Sequence, residues 1–236
     1  MQRYFAILKD NEIILSENDA HHVLHVMRMK KGDEIEAVCN NKLYSAIIKE
    51  TSPLKIVIDY EIPSESELPV PVTLFFALAK GDKIDFVVQK ATELGASKIV
   101  LINTERSIVK FEGNKVENKL ERFRKIAKEA SEQSHRLMIP EIVGVVDINK
   151  IPQNLLADVN LIAYEKEAGS TLSFDNAIEK GKSISIMIGP EGGFSEKEVE
   201  HLLKDKFIPV SLGKRILRTE TAAVYALSVI GFNLEK

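Results

Sequence analysis

The run Ser183-Ile184-Ser185-Ile186-Met187-Ile188-Gly189-Pro190-Glu191-Gly192-Gly193-Phe194-Ser195 decides the architecture of this 236-residue chain. Its first six residues make an apolar strand, and Gly189 to Gly193 break it. Ser195 and Glu198 follow at the spacing of a capping box, with Phe194 and Val199 in the matching staple positions, so a helix starts there. A strand that turns through a glycine loop into a helix belongs to an α/β sheet, whose ligands bind beyond the carboxyl ends of the strands. Leu212-Gly213-Lys214-Arg215-Ile216-Leu217-Arg218-Thr219-Glu220-Thr221-Ala222-Ala223 repeats the arrangement. An apolar run over 208–212 leads into it, a helix over 220–232 leaves it, and Thr219 is the expected N-cap. Two such loops on adjacent units predict one small-molecule pocket.

Outward from these loops the alternation continues. Strands are predicted over 72–79, 98–102 and 159–164. Helices are predicted from Ile84, Val87, Val88, Ala91 and Leu94, ended by Gly95; from Leu120, Phe123, Ile126, Ala127 and Ala130; and over 172–179. This pattern specifies a mostly parallel sheet with helices on both faces. Ile62 to Pro71 holds three prolines and no amphipathic period, and reads as a linker. Before it, strands are predicted over 4–8, 12–15, 33–38, 43–48 and 55–60. Asn40-Asn41 tolerates the positive φ of a tight hairpin. A helix over 18–30 interrupts them, with Ala20, Val23, Leu24 and Met27 on one face and Gly32 as its stop. The expected organisation is a small β-barrel over 1–68 and an α/β domain over 72–236.

Composition narrows the function classes. A formal net charge of -3 excludes coating of nucleic acid by bulk electrostatics, although a local basic face is compatible with it. The single cysteine, Cys39, can form neither an internal disulfide nor most of a tetrahedral metal shell. Met1 to Asp10 carries Arg3 and Lys9 and lacks an apolar signal region, and no run reaches the roughly 18 residues of a membrane span. The chain reads as cytoplasmic, with no membrane association.

The chemistry of the loops narrows them further. Glu191 puts a carboxylate where a phosphate would sit, and neither GxxxxGK[ST] nor GxGxxG occurs. A neutral or cationic ligand fits better. A phosphorylated small molecule is the alternative that Glu191 argues against. His21, His25 and Arg28 stand at i, i+4, i+7 and offer either a solvated helix face or RNA contact. No carboxylate pattern completes a metal site there, and none is expected. Arg122, Arg124, Lys125 and Lys128, set among glutamates, read as a solvated face. Glu129, Gln133 and Arg136 share a stripe on the long helix. Cys39 and His201 read as structural or incidental.

The two C-terminal motifs resemble those of the RsmE family of ribosomal RNA methyltransferases, in the SPOUT superfamily. Lys80-Gly81-Asp82-Lys83, Gln89-Lys90-Ala91-Thr92-Glu93-Leu94-Gly95, Glu105-Arg106-Ser107, Glu129 to Arg136 and His21 to Asp33 are similar to further family motifs. Phe123, where the family often has Trp, and His135, where a small residue is common, depart from the pattern. The resemblance implies an N-terminal PUA-like barrel and a SPOUT-type trefoil-knotted sheet. It further implies S-adenosylmethionine in the knot, a homodimer, and methylation of N3 of a uridine in 16S rRNA during ribosome maturation. By that resemblance Gly189, Pro190, Gly192, Gly193, Leu212, Gly213, Ile216, Leu217, Glu220, Thr221 and Ala222 hold the cofactor. Arg218 would donate to charge developing on the base, and Glu191 would be either a general base or a positioning group. Arg3, His21, His25, Arg28, Lys31, Arg106, Gln133 and Arg136 are the implied RNA contacts, on the small ribosomal subunit or its free RNA. An RNA-binding factor that has lost catalysis is the competing class.

Overall fold

The computed structural model describes residues 2–107, 109, 115–164 and 174–236. They divide into two units, Met1–Glu67 with Ser131–Met138, and Leu68–Ala130 with Ile139–Lys236.

The first unit is a six-stranded sheet built from β1 (Arg3–Phe5), β2 (Ile7–Lys9), β3 (Glu12–Ile14), β4 (Glu34–Cys39), β5 (Lys42–Thr51) and β6 (Leu54–Ile62). The strand order is β1-β4-β5-β6-β3-β2. Ala6 alone separates the two edge strands, so the sheet curls until its edges are joined by the chain itself, which leaves little open edge. Asn40 and Asn41 both have positive φ, 51° and 60°, and make the hairpin between β4 and β5. Tyr4, Val23, Ile35, Ala46, Ile48 and Ile56 fill the interior, together with Cys39.

The helix expected over 18–30 is much shorter. α1 (Glu17–His21) is capped by Ser16, whose hydroxyl accepts from the Asp19 N–H, and widens into a π-helical turn over His22–Val26. Arg28 then takes a left-handed backbone, φ 53°, that ends the helical path. Only Val23 of the predicted apolar face is fully buried, and Met27 is exposed. Gly32 serves the turn into β4, where its N–H donates to the Ile48 carbonyl, and so does not mark a helix end.

Residues Ser131–Met138 join the first unit through Glu67, which the linear division at 68 does not anticipate. The Glu67 carboxylate accepts from Arg136 Nη2 at 2.5 Å and from the backbone N–H groups of Leu137 and Met138 at 2.7 and 3.2 Å. The His135 carbonyl, just before, accepts from Arg3, which also pairs with Glu36 at 2.8 Å.

The second unit is a wholly parallel sheet of β7 (Val72–Ala77), β8 (Lys98–Asn103), β9 (Glu141–Asp147), β10 (Val159–Ala163), β11 (Ile184–Ile188) and β12 (Phe207–Val210). Its order is β12-β10-β11-β7-β8-β9. Every residue of β7 and β11 is buried, which is why these strands read as unbroken apolar runs. α2 (Lys83–Glu93), α3 (Lys115–Gln133) and α5 (Thr219–Leu234) cover one face; α4 (Glu196–Lys204) and 3₁₀ turns at 148–150 and 153–155 cover the other. β9 has no counterpart among the predicted strands: it is a half-buried edge interrupted by Gly144, so its pattern is weak. The helix expected over 172–179 reduces to a 3₁₀ turn over Phe174–Ala177, and residues 172–173 lie outside the described residues.

Glu67→Ala removes the anion while Arg136, 2% exposed, stays buried. Urea unfolding is expected to show a loss of about 2 kcal/mol, as the N–H groups of Leu137 and Met138 lose their acceptor and Arg136 loses one of its ion pairs.

Candidate functional site

The capping box expected at Ser195 is present. Its hydroxyl accepts from the Glu198 N–H at 3.3 Å and Glu198 Oε2 accepts from the Ser195 N–H at 2.8 Å. Phe194 and Val199 are buried together in the core beneath it. The glycines ahead of the cap are required by geometry. A Cβ on Gly189 would stand 2.9 Å from the Phe194 ring, and Gly193 has φ 66°.

Glu198 also holds a second loop. Its other oxygen, Oε1, accepts from the Glu105 N–H at 2.7 Å, just beyond β8. This fixes the next residue: Arg106 Nη1 donates to the carbonyls of Gly192 and Phe194 at 2.9 and 3.3 Å. Arg106 thus ties the β8 loop to the glycine loop.

Both C-terminal loops line one cavity of about 550 Å³ at the carboxyl ends of β10, β11 and β12. The wall is apolar at Ala163, Ile188, Pro190, Leu212, Ile216, Leu217 and Ala222, and backbone-rich at Gly189, Gly192, Gly193 and Gly213. Of the residues expected to hold a cofactor, all line the cavity except Glu220 and Thr221. Thr221 is exposed on α5, and Glu220 acts from behind through Lys83. Both expected catalytic residues, Glu191 and Arg218, line it, with Thr219 beside them. The N-cap of α5 is Arg218 and not Thr219, and its side chain makes no capping bond. The Thr219 hydroxyl instead donates to Glu220 at 3.1 Å.

Lys83, Tyr164, Ser211 and Arg215 also line the cavity and were not among the expected site residues. Lys83 is the important one. Its ammonium lies 2.7 Å from Glu191 and 3.6 Å from Glu220, joining α2, the glycine loop and α5. A cation at a helix N-terminus is disfavoured by the macrodipole, so the two carboxylates supply the reason for it. The Lys83 hydrogen bond holds the Glu191 carboxyl below the ordinary carboxylate range against the effect of partial burial. Burial pushes Glu220 up, but hydrogen bonds from its own N–H and from Thr219, with the charge of Lys83, leave it below that range. Lys83 in turn is raised by its bond to Glu191. The Lys80-Gly81-Asp82-Lys83 motif was the sequence signal, but nothing in it names the partners.

Several expected RNA contacts do not present free side chains. Arg3 is 7% exposed and engaged by Glu36 and His135, and Arg136 is 2% exposed and bound by Glu67. The stripe through Glu129, Gln133 and Arg136 does not exist, because α3 ends at Gln133 and His135 takes φ 61°. Of the i, i+4, i+7 stripe of His21, His25 and Arg28, the two histidines stay side by side, while Arg28 leaves the helical path with its left-handed backbone. His21, His25, Arg28, Lys31 and Gln133 are exposed, with the rings of His21 and His25 4.7 Å apart. The packed histidine is His22, whose Nδ1 is hydrogen-bonded to the Tyr4 hydroxyl at 2.9 Å.

A curled β unit with a parallel α/β unit, whose cavity is shaped by two glycine-bearing loops, defines a class. An RNA methyltransferase domain model matches residues 66–231, and an RNA methyltransferase PUA domain model matches residues 15–59. Within that class the chain belongs to the ribosomal RNA small subunit methyltransferase E family. It is 38% identical to that protein of Bacillus subtilis (strain 168), covering 100% of this chain and 98% of the relative. It is 32% identical to ribosomal RNA small subunit methyltransferase E 2 of Borreliella burgdorferi, covering 98% and 93%. The crystal structure of the Neisseria gonorrhoeae protein, bound to S-adenosyl methionine, is similar with a TM-score of 0.85 at 29% identity, covering 98% of this chain and 96% of that one.

Lys83→Met releases Glu191, whose carboxyl is expected to titrate at higher pH in ¹³C NMR. A carboxylate lowered on folding stabilises above its ordinary value of 4.5, and a raised lysine stabilises below 10.5. The stability gap between wild type and variant, under about 1 kcal/mol for such part-exposed groups, should be present between those limits and close beyond them.

Proposed function

We propose that this family member is an S-adenosylmethionine-dependent methyltransferase that modifies N3 of a uridine in 16S rRNA. The observation that carries the reading is the single cavity enclosed by the glycine loop and the loop over 212–218. Its volume suits one cofactor-sized ligand, and its wall pairs apolar side chains with exposed backbone groups, as an uncharged ring system requires. The glycine loop itself presents Glu191 and no cation, which disfavours a phosphate there. Backbone groups of Gly189 to Gly193 and of Leu212-Gly213 would hold the adenine and ribose, while Ile188, Leu212, Ile216 and Leu217 would pack on the ring.

The bound cofactor supplies an electrophilic methyl group on a sulfonium. The chain's contribution is then positioning, since in-line displacement depends on alignment of the two reactants. Arg218 is exposed at the cavity and its side chain has no hydrogen bond or ion pair among the described residues, so its guanidinium is available to the base. It would stabilise the negative charge left on the base as the N3 proton passes to solvent water. Glu191 is a poor general base, because Lys83 keeps it ionised and low; it orients the Lys83 side of the cavity instead. Arg28 and Lys31 position RNA by phosphate contact.

The homodimer is supported by α5, which is apolar nearly all round and leaves Tyr225 and Phe232 exposed, 40% and 61%, with Phe86 exposed on α2. The trefoil knot is supported by family membership and by the meeting of the 189–193 and 212–218 loops at one cavity. Among the described residues no helix is long and apolar enough to cross a membrane; the proposed rRNA substrate would place its action in the cytoplasm.

Unmodified small-subunit RNA or subunits treated with protein and S-adenosylmethionine should acquire a new reverse-transcription stop at one uridine, since N3 methylation blocks the pairing edge. Uniform read-through despite cofactor binding refutes the N3 assignment. Arg218→Ala should lower turnover by roughly 100-fold, the scale of losing one charge-stabilising donor, with cofactor affinity within a few fold. Near-normal turnover removes Arg218 from the chemistry.

A further inference from the structure

The charges around the cavity do not balance, and the excess points outward. Among the described residues the lining holds four cationic side chains, Lys83, Arg106, Arg215 and Arg218, against one carboxylate, Glu191. The local acids are spent: Glu191 and Glu220 both pair with Lys83. Arg106 is committed to the carbonyls of Gly192 and Phe194. Lys214, Arg215 and Arg218 are all exposed, and none of their side chains has a hydrogen bond or ion pair among the described residues. Three unpaired cations within five residues, on a chain of net charge -3, form a concentrated basic lip.

Within the proposed methyltransferase reading, we propose that Lys214 and Arg215 hold the RNA backbone phosphates flanking the target nucleotide, on the rim of the cavity itself. One cofactor carboxylate offsets a single unit of positive charge, and Arg218 faces the base, so the remaining charge calls for a polyanion. Arginine suits phosphate through its paired N–H donors, and an adjacent lysine adds a point charge. Phosphate contacts of this kind fix register without reading sequence, which leaves base selection to the cavity. The second unit thereby has its own RNA contact. Arg3 and Arg136, which sequence offered for that task, are buried in ion pairs of the first unit.

The test uses the full-length protein and a fluorescent oligouridine of about 20 nucleotides, with affinity measured from about 50 to 200 mM KCl; each lost phosphate contact lowers the slope of log K against log salt by about 0.7 for a single strand. Lys214→Ala and Arg215→Ala should each lower it by that amount, the double variant by about twice as much, and Arg215→Lys should restore most of it. Unchanged slopes in both single variants overturn the assignment, as does a loss that Arg215→Lys fails to rescue. S-adenosylmethionine calorimetry on the same samples separates the two readings. Absent cofactor binding in the wild type refutes the methyltransferase reading, whereas a normal cofactor isotherm with unchanged salt slopes refutes only the phosphate lip.

Discussion

The Glu198 carboxylate is the constraint on which the site depends. It is 3% exposed and accepts on one side from the Ser195 N–H that opens α4, and on the other from the Glu105 N–H that follows β8. A buried anion satisfied by two backbone donors is stable only in that geometry, because loss of either donor leaves charge uncompensated. The glycine loop and the 104–107 loop are therefore set by the same group. Arg106 follows from it, since the turn that offers the Glu105 N–H also aims the guanidinium at the carbonyls of Gly192 and Phe194.

A second charged junction, Lys83 between Glu191 and Glu220, ties α2 and α5 to that framework. The two junctions differ in kind. Glu198 is locked by backbone donors and supports shape, whereas Lys83 lies in the cavity wall and sets its charge. With the acids occupied, the positive groups that remain free are those a polyanionic substrate would meet. In the proposed reading, apolar wall and basic lip divide the work between an uncharged ring system and an RNA backbone.

In the first unit the comparable element is Glu67. It anchors the middle of the proline-rich connection by binding Arg136 and the N–H groups of Leu137 and Met138. A residue that reads in sequence as part of a polar linker is an anchor, and the segment 131–138 belongs with strands more than sixty positions away in the chain. The stripe of polar residues on the long helix fails for the same reason: the helix stops at Gln133, where that anchoring begins.

Sequence by itself determined the parallel sheet, the Asn40-Asn41 hairpin, the capping box at Ser195 and the pairing of two glycine-bearing loops. Each is written in local pattern: unbroken apolar runs for strands buried on both faces, a fixed three-residue spacing for the cap, and residues that tolerate positive φ. The half-buried edge strand β9 escaped because one partner strand and Gly144 leave it little pattern. Sequence could not decide which charges are free. Arg3, Arg136 and Arg218 are the same residue type in similarly polar surroundings, yet two are consumed by Glu36 and Glu67 while the third faces the cavity. Charge pairing acts through space over a few ångströms between positions far apart in the chain, so only the tertiary structure assigns the partners, and with them the residues left available for function.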